Sequence, residues 1–401
     1  MFREYKISQI GEVVGGGTPS TDNEEFWDGN IPWITPKDLT GYSSVYISHG
    51  ENYITGAGVN KSGTKMLPAK TVLFSSRAPI GYVAIAQNPI CTNQGFKSII
   101  CDEKIIDPLY FYYYIKSNLD YFKQWGSGAT FPEISGNAMK RIKVNIINDI
   151  DWQRKIAKTL YSYDDLIEVN NKRLKVLEQM AENLYKEWFV RFRFPGHENA
   201  EFENGIPKGW RRGHISEFYT TSSGGTPSRE HDEYYDDGTI PWIKTGELQD
   251  CLLIDTEEKI TNSAIQKSSA KFFPKDSVLM AMYGVNIGML AYSTMEATCN
   301  QACCVFRDKG RTNTKHYLFQ CLKSIRDYLL LISFGAAQQN LSQDLIKQIR
   351  IVMPDEETVI RFEQKIEPLY NETKQLLIAN ACLIRQRDLL LPRLMSGKLE
   401  V

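Results

Sequence analysis

From about residue 151 to 190, and again from about 355 to 395, apolar positions recur at alternating steps of four and three. The first series runs Ile156, Leu160, Tyr163, Ile167, Asn170, Leu174, Leu177, Ala181, Leu184 and Trp188. The second runs Phe362, Ile366, Leu369, Thr373, Leu376, Asn380, Leu383, Arg387, Leu390 and Leu394. Such spacing gathers the side chains on one stripe, the a/d seam of a coiled coil. Each segment therefore predicts a helix of about 40 residues, about 60 Å long at roughly 1.5 Å per residue. Pro368 lies early in the second seam and predicts a kink or restart, because proline has no N–H to donate and crowds the preceding turn.

Neither helix buries its seam alone, so the two are expected to pair. The link from the first helix to the next folded part, 191–207, is too short to run back along such a rod and also order itself, which favours antiparallel pairing. The second globular part then belongs at the opposite end from the first. Asn170 and Asn380 each take a seam position where an apolar residue would stabilise more. They are expected to set register by bonding to one another or to water, the alternative being that they face solvent.

Outside these segments the texture is different. Short β-branched and aromatic runs such as Thr71-Val72-Leu73-Phe74 and Ser277-Val278-Leu279-Met280 alternate with Gly, Pro, Asn and Ser turns. The two stretches also repeat one another at a shift of about 207. Gly16-Gly17-Thr18-Pro19-Ser20 returns as Gly224-Gly225-Thr226-Pro227-Ser228, and Ile31-Pro32-Trp33-Ile34 returns as Ile240-Pro241-Trp242-Ile243. Ile80-Gly81 matches Ile287-Gly288, Asn93-Gln94 matches Asn300-Gln301, and Ile134-Ser135 matches Leu341-Ser342, all in unbroken order. A duplication of that length dictates architecture. The expected fold is α+β: two similar mixed, mainly β domains separated by an antiparallel pair of long coiled-coil helices with pseudo-two-fold symmetry. The boundaries read as 1–148 for the first domain, 149–192 for the first helix, 193–207 for a linker, 208–353 for the second domain, and 354–401 for the second helix and tail.

Composition narrows the function. With 401 residues, 42% hydrophobic and 24% charged, the chain is globular and long enough for several domains. A net charge of -1 argues against coating nucleic acid by bulk electrostatics but leaves local basic sites open. No window has the apolar length of a membrane span and the N-terminus lacks a signal-peptide stretch, so a cytoplasmic location is expected. The eight cysteines include no CxxC pair and read as reduced, packed thiols, with no metal site expected.

Two related but unequal domains held apart by a rod suit a target with its own two-fold geometry, and duplex DNA is such a target. Each domain can enter one of two major-groove stretches about one helical turn apart, and unequal side chains imply unequal half-sites. The motifs carry a family resemblance. Paired Gly-Gly-Thr-Pro-Ser and Ile-Pro-Trp-Ile, Ile206-Pro207-x-Gly209-Trp210 opening the second domain, Gly335-x-x-Gln338-x-Asn340-Leu341-Ser342 near its close, and a C-terminus of Leu391-x-x-Leu394-x-Ser396-Gly397-Lys398-Leu399 together resemble the specificity subunits of type I restriction-modification enzymes. The resemblance covers the whole chain and implies a non-catalytic subunit. In it, each target-recognition domain reads one half of a bipartite asymmetric site, and the helices set the spacer. Two methyltransferase subunits dock on those helices, and restriction/translocase subunits join. S-adenosylmethionine, ATP and Mg are then expected on the partners, with no cofactor on this chain. The first domain departs from the second at Phe131-Pro132-Glu133, where the second has Gln338-Gln339-Asn340.

Candidate DNA contacts follow from side-chain chemistry. Thr18, Ser20, Thr226 and Ser228 carry hydroxyls beside a Gly-rich backbone suited to phosphate, although such a turn also satisfies itself. Lys61, Lys65 and Arg77 in the first domain, and Asn286, Gln338, Gln339 and Asn340 in the second, have the chemistry of base-edge readers. Asn93-Gln94 and Asn300-Gln301 are the same in both domains and so read as structural, as do Trp33 and Trp242. Gly58-Val59-Asn60-Lys61-Ser62-Gly63-Thr64-Lys65 has the glycine spacing of a phosphate loop but ends Thr-Lys where that mechanism needs Lys-Ser or Lys-Thr. The rival readings are a stand-alone hydrolase or NTPase and a coiled-coil scaffold or peptide-binding protein without DNA recognition.

Overall fold

The structure, a computed structural model, describes residues 2–128, 132–310, 313–333 and 340–399. It divides into two units, Met1–Asn171 with Asn380–Val401, and Lys172–Ala379. Two long helices, Ile150–Tyr185 and Glu356–Met395, each contribute to both units.

Each long helix starts at an aspartate that absorbs otherwise unpaired N–H groups. Asp149 Oδ1 accepts from the backbone of Trp152 at 3.0 Å, and Asp355 Oδ1 from that of Thr358 at 2.9 Å. The first helix ends in a wider π-type turn, Lys186–Val190. The expectation of a restart at Pro368 is corrected: the second helix is continuous over 40 residues. Pro368 and Gln364 are both exposed, so the carbonyl deprived of its partner can be hydrated and the break is not forced.

Within each unit the helical stretches run antiparallel. In the first, Asp164 is ion-paired with Arg387, and Asn170 Nδ2 donates to Asn380 Oδ1 at 2.8 Å. In the second, Arg173 is ion-paired with Glu372, and the rings of Trp188 and Phe362 lie 5.7 Å apart.

The globular part of the first unit, the first head, closes with Phe2–Lys6 paired antiparallel to Lys143–Ile147. Its five-stranded sheet has the order Gly11–Gly15, Lys97–Cys101, Val72–Ser76, Ile80–Ala86 and Tyr46–Ile47. A three-stranded sheet sets Trp27–Ile34 between Asn52–Ile54 and Cys91–Thr92. The second head repeats this strand for strand. Arg211–His214 pairs with Arg350–Met353, and the larger sheet runs Tyr219–Ser223, Cys303–Asp308, Ser277–Ala281, Leu290–Ser293 and Cys251–Leu253. Ile240–Ile243 lies between Lys259–Ile260 and Thr298–Cys299.

Each head's core continues into its helices. Ile156, Leu160 and Leu394 are buried with Tyr110, Phe111 and Phe122 in the first unit, and Trp188, Phe362 and Ile366 with Tyr317 and Tyr219 in the second. Full burial of one such side chain is worth about 1.5–3 kcal/mol, so the helix roots are part of the heads and not appendages. Buried Gln153 fixes the first root: its Nε2 donates to the carbonyls of Ile147 at 2.7 Å and Ile105 at 3.1 Å, and its Oε1 accepts from Asp107 N at 2.8 Å.

Candidate nucleic-acid interface

The Gly-Gly-Thr-Pro-Ser loop has the same construction in both heads. A Cβ on Gly16 would lie 2.1 Å from the Asn93 carbonyl oxygen, and one on Gly224 1.8 Å from that of Cys299, so glycine is required by close approach. Gly17 N donates to Thr92 O and Gly225 N to Cys299 O, both at 2.9 Å. The buried indoles of Trp33 and Trp242 donate to the carbonyls of Gly17 and Gly225 at 2.9 and 3.1 Å. Thr18 donates its hydroxyl proton to Gln94 Oε1 and Thr226 to Gln301 Oε1. The threonine protons are thus used in closing the loop. Ser20 and Ser228 accept from Asp22 N at 3.4 Å and Glu230 N at 3.3 Å, which turns the chain at the loop exit.

Beside this loop stand matched lysines. Thr55 caps the short helix Gly56–Lys61 and Thr261 caps Asn262–Lys267, so Lys61 and Lys267 hold the same place. Lys65 and Lys271 follow the segments that touch the loop glycines, Thr64 at Gly17 and Ser269-Ala270 at Gly225. All four lysines are exposed, and none has an ion-pair partner among the described residues. The stretch Gly58–Lys65 is therefore a capped helix and its exit, a different shape from a nucleotide-binding loop.

From the loop a polar chain leads to the tip of the Val72–Ser76/Ile80–Ala86 hairpin in the first head. Lys97 Nζ donates to the carbonyl of Gln94 at 3.3 Å, to Ser76 Oγ at 3.4 Å and to Glu133 Oε1 at 3.1 Å. Arg77 Nη1 lies 3.7 Å from Glu133 Oε2. In the second head the first half of this chain is kept and the rest exchanged. Buried Cys304 stands for Lys97, Asn340 for Glu133 and Tyr283 for Arg77. The backbone is the same, because Arg77 bridges to Glu133 and Tyr283 to Asn340 as isolated antiparallel contacts. Val285 at the second tip is 100% exposed.

The remaining nominees divide. Asn286 directs its amide into the head, donating to the carbonyls of Thr245 at 3.0 Å and of Gly246 and Leu248 at 3.3 Å, so its donors tie down a loop. Gln338 and Gln339 lie outside the described residues. Arg229, next to Ser228, covers the Tyr235 ring at 4.1 Å and is held by Glu258, whose carboxyl the hydrogen bond from Arg229 keeps below the usual range. Lys97, Lys267, Lys271, Tyr283 and Val285 were not singled out by the sequence. The repeat carries the signal for the lysines, since Thr55 to Thr261 and Lys61 to Lys267 share one offset.

A family model for the type I restriction modification DNA specificity domain matches twice, over residues 2–179 and 207–374. The chain belongs to this family. It is 35% identical to the type I restriction enzyme MjaIX specificity subunit of Methanocaldococcus jannaschii, over 99% of this chain and 93% of that one. It is 25% identical to the HindI specificity subunit of Haemophilus influenzae, over 76% and 80% of the two chains. The crystal structure of the type I restriction-modification S subunit from M. genitalium has the same fold, with a TM-score of 0.67 at 14% identity over 98% of this chain and 96% of that one. Within the family this chain is a DNA specificity subunit and not a catalytic one. No helix among the described residues is long and apolar enough to cross a membrane.

Proposed function

We propose that each head of this specificity subunit reads one half of a bipartite, asymmetric DNA site. Arg77, Lys97 and Glu133 form the reading surface of the first head, and Tyr283, Val285 and Asn340 that of the second, with Gln338 and Gln339, which precede Asn340 in the sequence, as further candidates. Lys61, Lys65, Lys267 and Lys271 neutralise phosphates. Ser20 and Ser228 add hydroxyl contacts from the glycine loop, while Thr18 and Thr226 shape it and Asn286 holds the 245–248 segment. One observation carries the division: a single polar scaffold begins identically in both heads and ends in different side chains. Groups that position a duplex repeat, whereas groups that read different bases must differ.

The paired helices set the spacer and dock two methyltransferase subunits, with restriction/translocase subunits joining that assembly in the cytoplasm. Docking is supported by apolar residues left exposed on the first helix, Leu166 and Val169 in the first unit and Val176 and Met180 in the second. S-adenosylmethionine, ATP and Mg belong to those partners. A scaffold reading gives no account of heads that keep their topology while exchanging the charge at one loop.

The test is methylation mapping of a host carrying the complete complex. Arg77→Ala with Glu133→Ala is expected to change the first half-site alone, and Tyr283→Ala with Asn340→Ala the second alone. Unaltered motifs in both would refute the assignment. Inserting four residues in each helix, about 6 Å of rise, is expected to lengthen the spacer by one or two base pairs at roughly 3.4 Å each.

A further inference from the structure

The two seams align with each other at a constant offset of 206, from Ile156 and Phe362 through Trp188 and Leu394. That alignment creates a hazard. Seams related by duplication can also pair with copies of themselves, so two chains could join first helix to first helix and second to second. The structure lets each alternative be judged, because the position facing any residue in such a self-pair is found from the offset.

Two polar layers in the first unit decide the matter. Asp164 is buried between Arg387, which is ion-paired with it, and Tyr113, whose hydroxyl donates to Asp164 Oδ2 at 2.5 Å. Six residues on, Asn170 Nδ2 donates to Asn380 Oδ1 at 2.8 Å, and Asn380 Nδ2 donates to Asn171 Oδ1 at 2.9 Å. Asn170 and Asn380 are only 5% and 7% exposed. Arg387 and the asparagine partners come from the opposite helix and are lost on self-pairing, whereas Tyr113, from the same head, stays with Asp164.

At the offset of 206, the counterparts of Asn380 and Arg387 are Leu174 and Ala181, and those of Asp164 and Asn170 are Tyr370 and Leu376. In a first-helix self-pair, Asn170 would therefore meet Leu174, and Asp164 would meet Ala181. In a second-helix self-pair, Asn380 would meet Leu376, and Arg387 would meet Tyr370. Each self-pair takes the opposite charge on the other helix away from Asp164 or Arg387, leaving Tyr113 or Asp388 beside it, and sets a seam amide against leucine, a costly arrangement for polar groups in a seam. The native pairing is the one combination that satisfies both layers.

We infer that the Asp164–Arg387 and Asn170–Asn380 layers are a selectivity device: they make the first helix a partner for the second helix and reject a second copy of itself. Seam polarity here does more than set register. It discriminates between partners by penalising the wrong ones. In the second unit the equivalent positions hold no charge pair and the interhelical pair Arg173–Glu372 is exposed, so the buried polar discrimination is concentrated in the first.

The full-length protein tests this without DNA or partner subunits. Wild type, Asn170→Leu with Asn380→Leu, Asp164→Arg alone, and Asp164→Arg with Arg387→Asp are unfolded in denaturant and refolded over a range of concentrations. Mass is then measured by light scattering and helix content by circular dichroism. The leucine pair removes one penalty and adds apolar seam, so it is expected to fold and to place a several-fold larger share of chain in assemblies of two or more copies than wild type does. The single Asp164→Arg variant is expected to do the same through repulsion by Arg387, and the charge-reversed pair to return to the wild-type distribution. A leucine pair that refolds to the wild-type distribution at every concentration would overturn the inference, as would a charge-reversed pair that assembles like the single variant.

Discussion

The indole Nε1 of Trp33 donates to the carbonyl oxygen of Gly17 at 2.9 Å, a side-chain tie between the three-stranded sheet and the glycine loop. Trp242 and Gly225 repeat it at 3.1 Å. Trp33→Phe and Trp242→Phe keep the aromatic bulk and strand a buried carbonyl, so each is expected to cost about 1–3 kcal/mol. Denaturant unfolding followed by calorimetry checks it, and a change under about 0.5 kcal/mol in both would show that the loop needs no such tie.

The glycine loop tolerates no Cβ. Gly16→Ala and Gly224→Ala drive a methyl into backbone oxygens at 2.1 and 1.8 Å, and backbone cannot swing aside as a side chain can. A loss of about 3 kcal/mol, the upper end for overpacking, is expected from each. Gly56→Ala serves as the control: nothing lies within 4 Å of its added methyl, at the start of a helix, and a small gain of up to about 1 kcal/mol is expected.

Loss of a phosphate contact and loss of a base contact have different signatures. Lys61→Gln, Lys65→Gln, Lys267→Gln and Lys271→Gln are each expected to weaken binding alike on cognate and unrelated duplexes, and to lower the slope of log K against log salt by about 0.9. Arg77→Ala and Tyr283→Ala are expected to act mainly on the cognate sequence, about 1–3 kcal/mol per lost contact. Titration of the assembled complex at four salt concentrations separates the two. A lysine variant that discriminates between sequences would move that residue into the reading surface.

Thiol chemistry offers a check on the cores. Burial disfavours the charged thiolate, pushing Cys321 up to about 11 and raising Cys91, Cys101, Cys251 and Cys304 as well. Cys382 is the exposed cysteine, on the second long helix. Alkylation of native protein at pH 8 is expected to label Cys382 first, with labelling of the buried thiols appearing only on unfolding. Intact mass after timed quenching reads the count. Rapid labelling of Cys321 at pH 8 would contradict the packing of the second head.

The long helices were legible because a seam repeated over ten positions leaves a signal that no other structure produces, and Asn170 and Asn380 stand out against it. Pro368 suggested a restart because periodicity does not tell which face meets solvent, and an exposed proline need not end a helix. The doubled heads were legible as a repeat, but their strand order was not: the parallel neighbours Tyr46–Ile47 and Ile80–Ala86 are linked through tertiary pairing that no local pattern encodes. The proposed reading surface was only partly visible. Arg77 and Glu133 are 56 positions apart, and their proximity depends on an isolated bridge. Lys267 and Lys271 were hidden because the repeat offset drifts, being 209 at Trp33 and Trp242 but 206 at Thr55 and Thr261.

Gln153 has a mechanical meaning. Three hydrogen bonds of the buried Gln153 side chain clamp the root of the first long helix to the first head, so its direction there cannot change without rupturing them. That root is a weld and not a hinge: torque applied to the adjoining helix passes straight into the sheet. Any bending that DNA demands of this subunit has to be accommodated elsewhere in the chain.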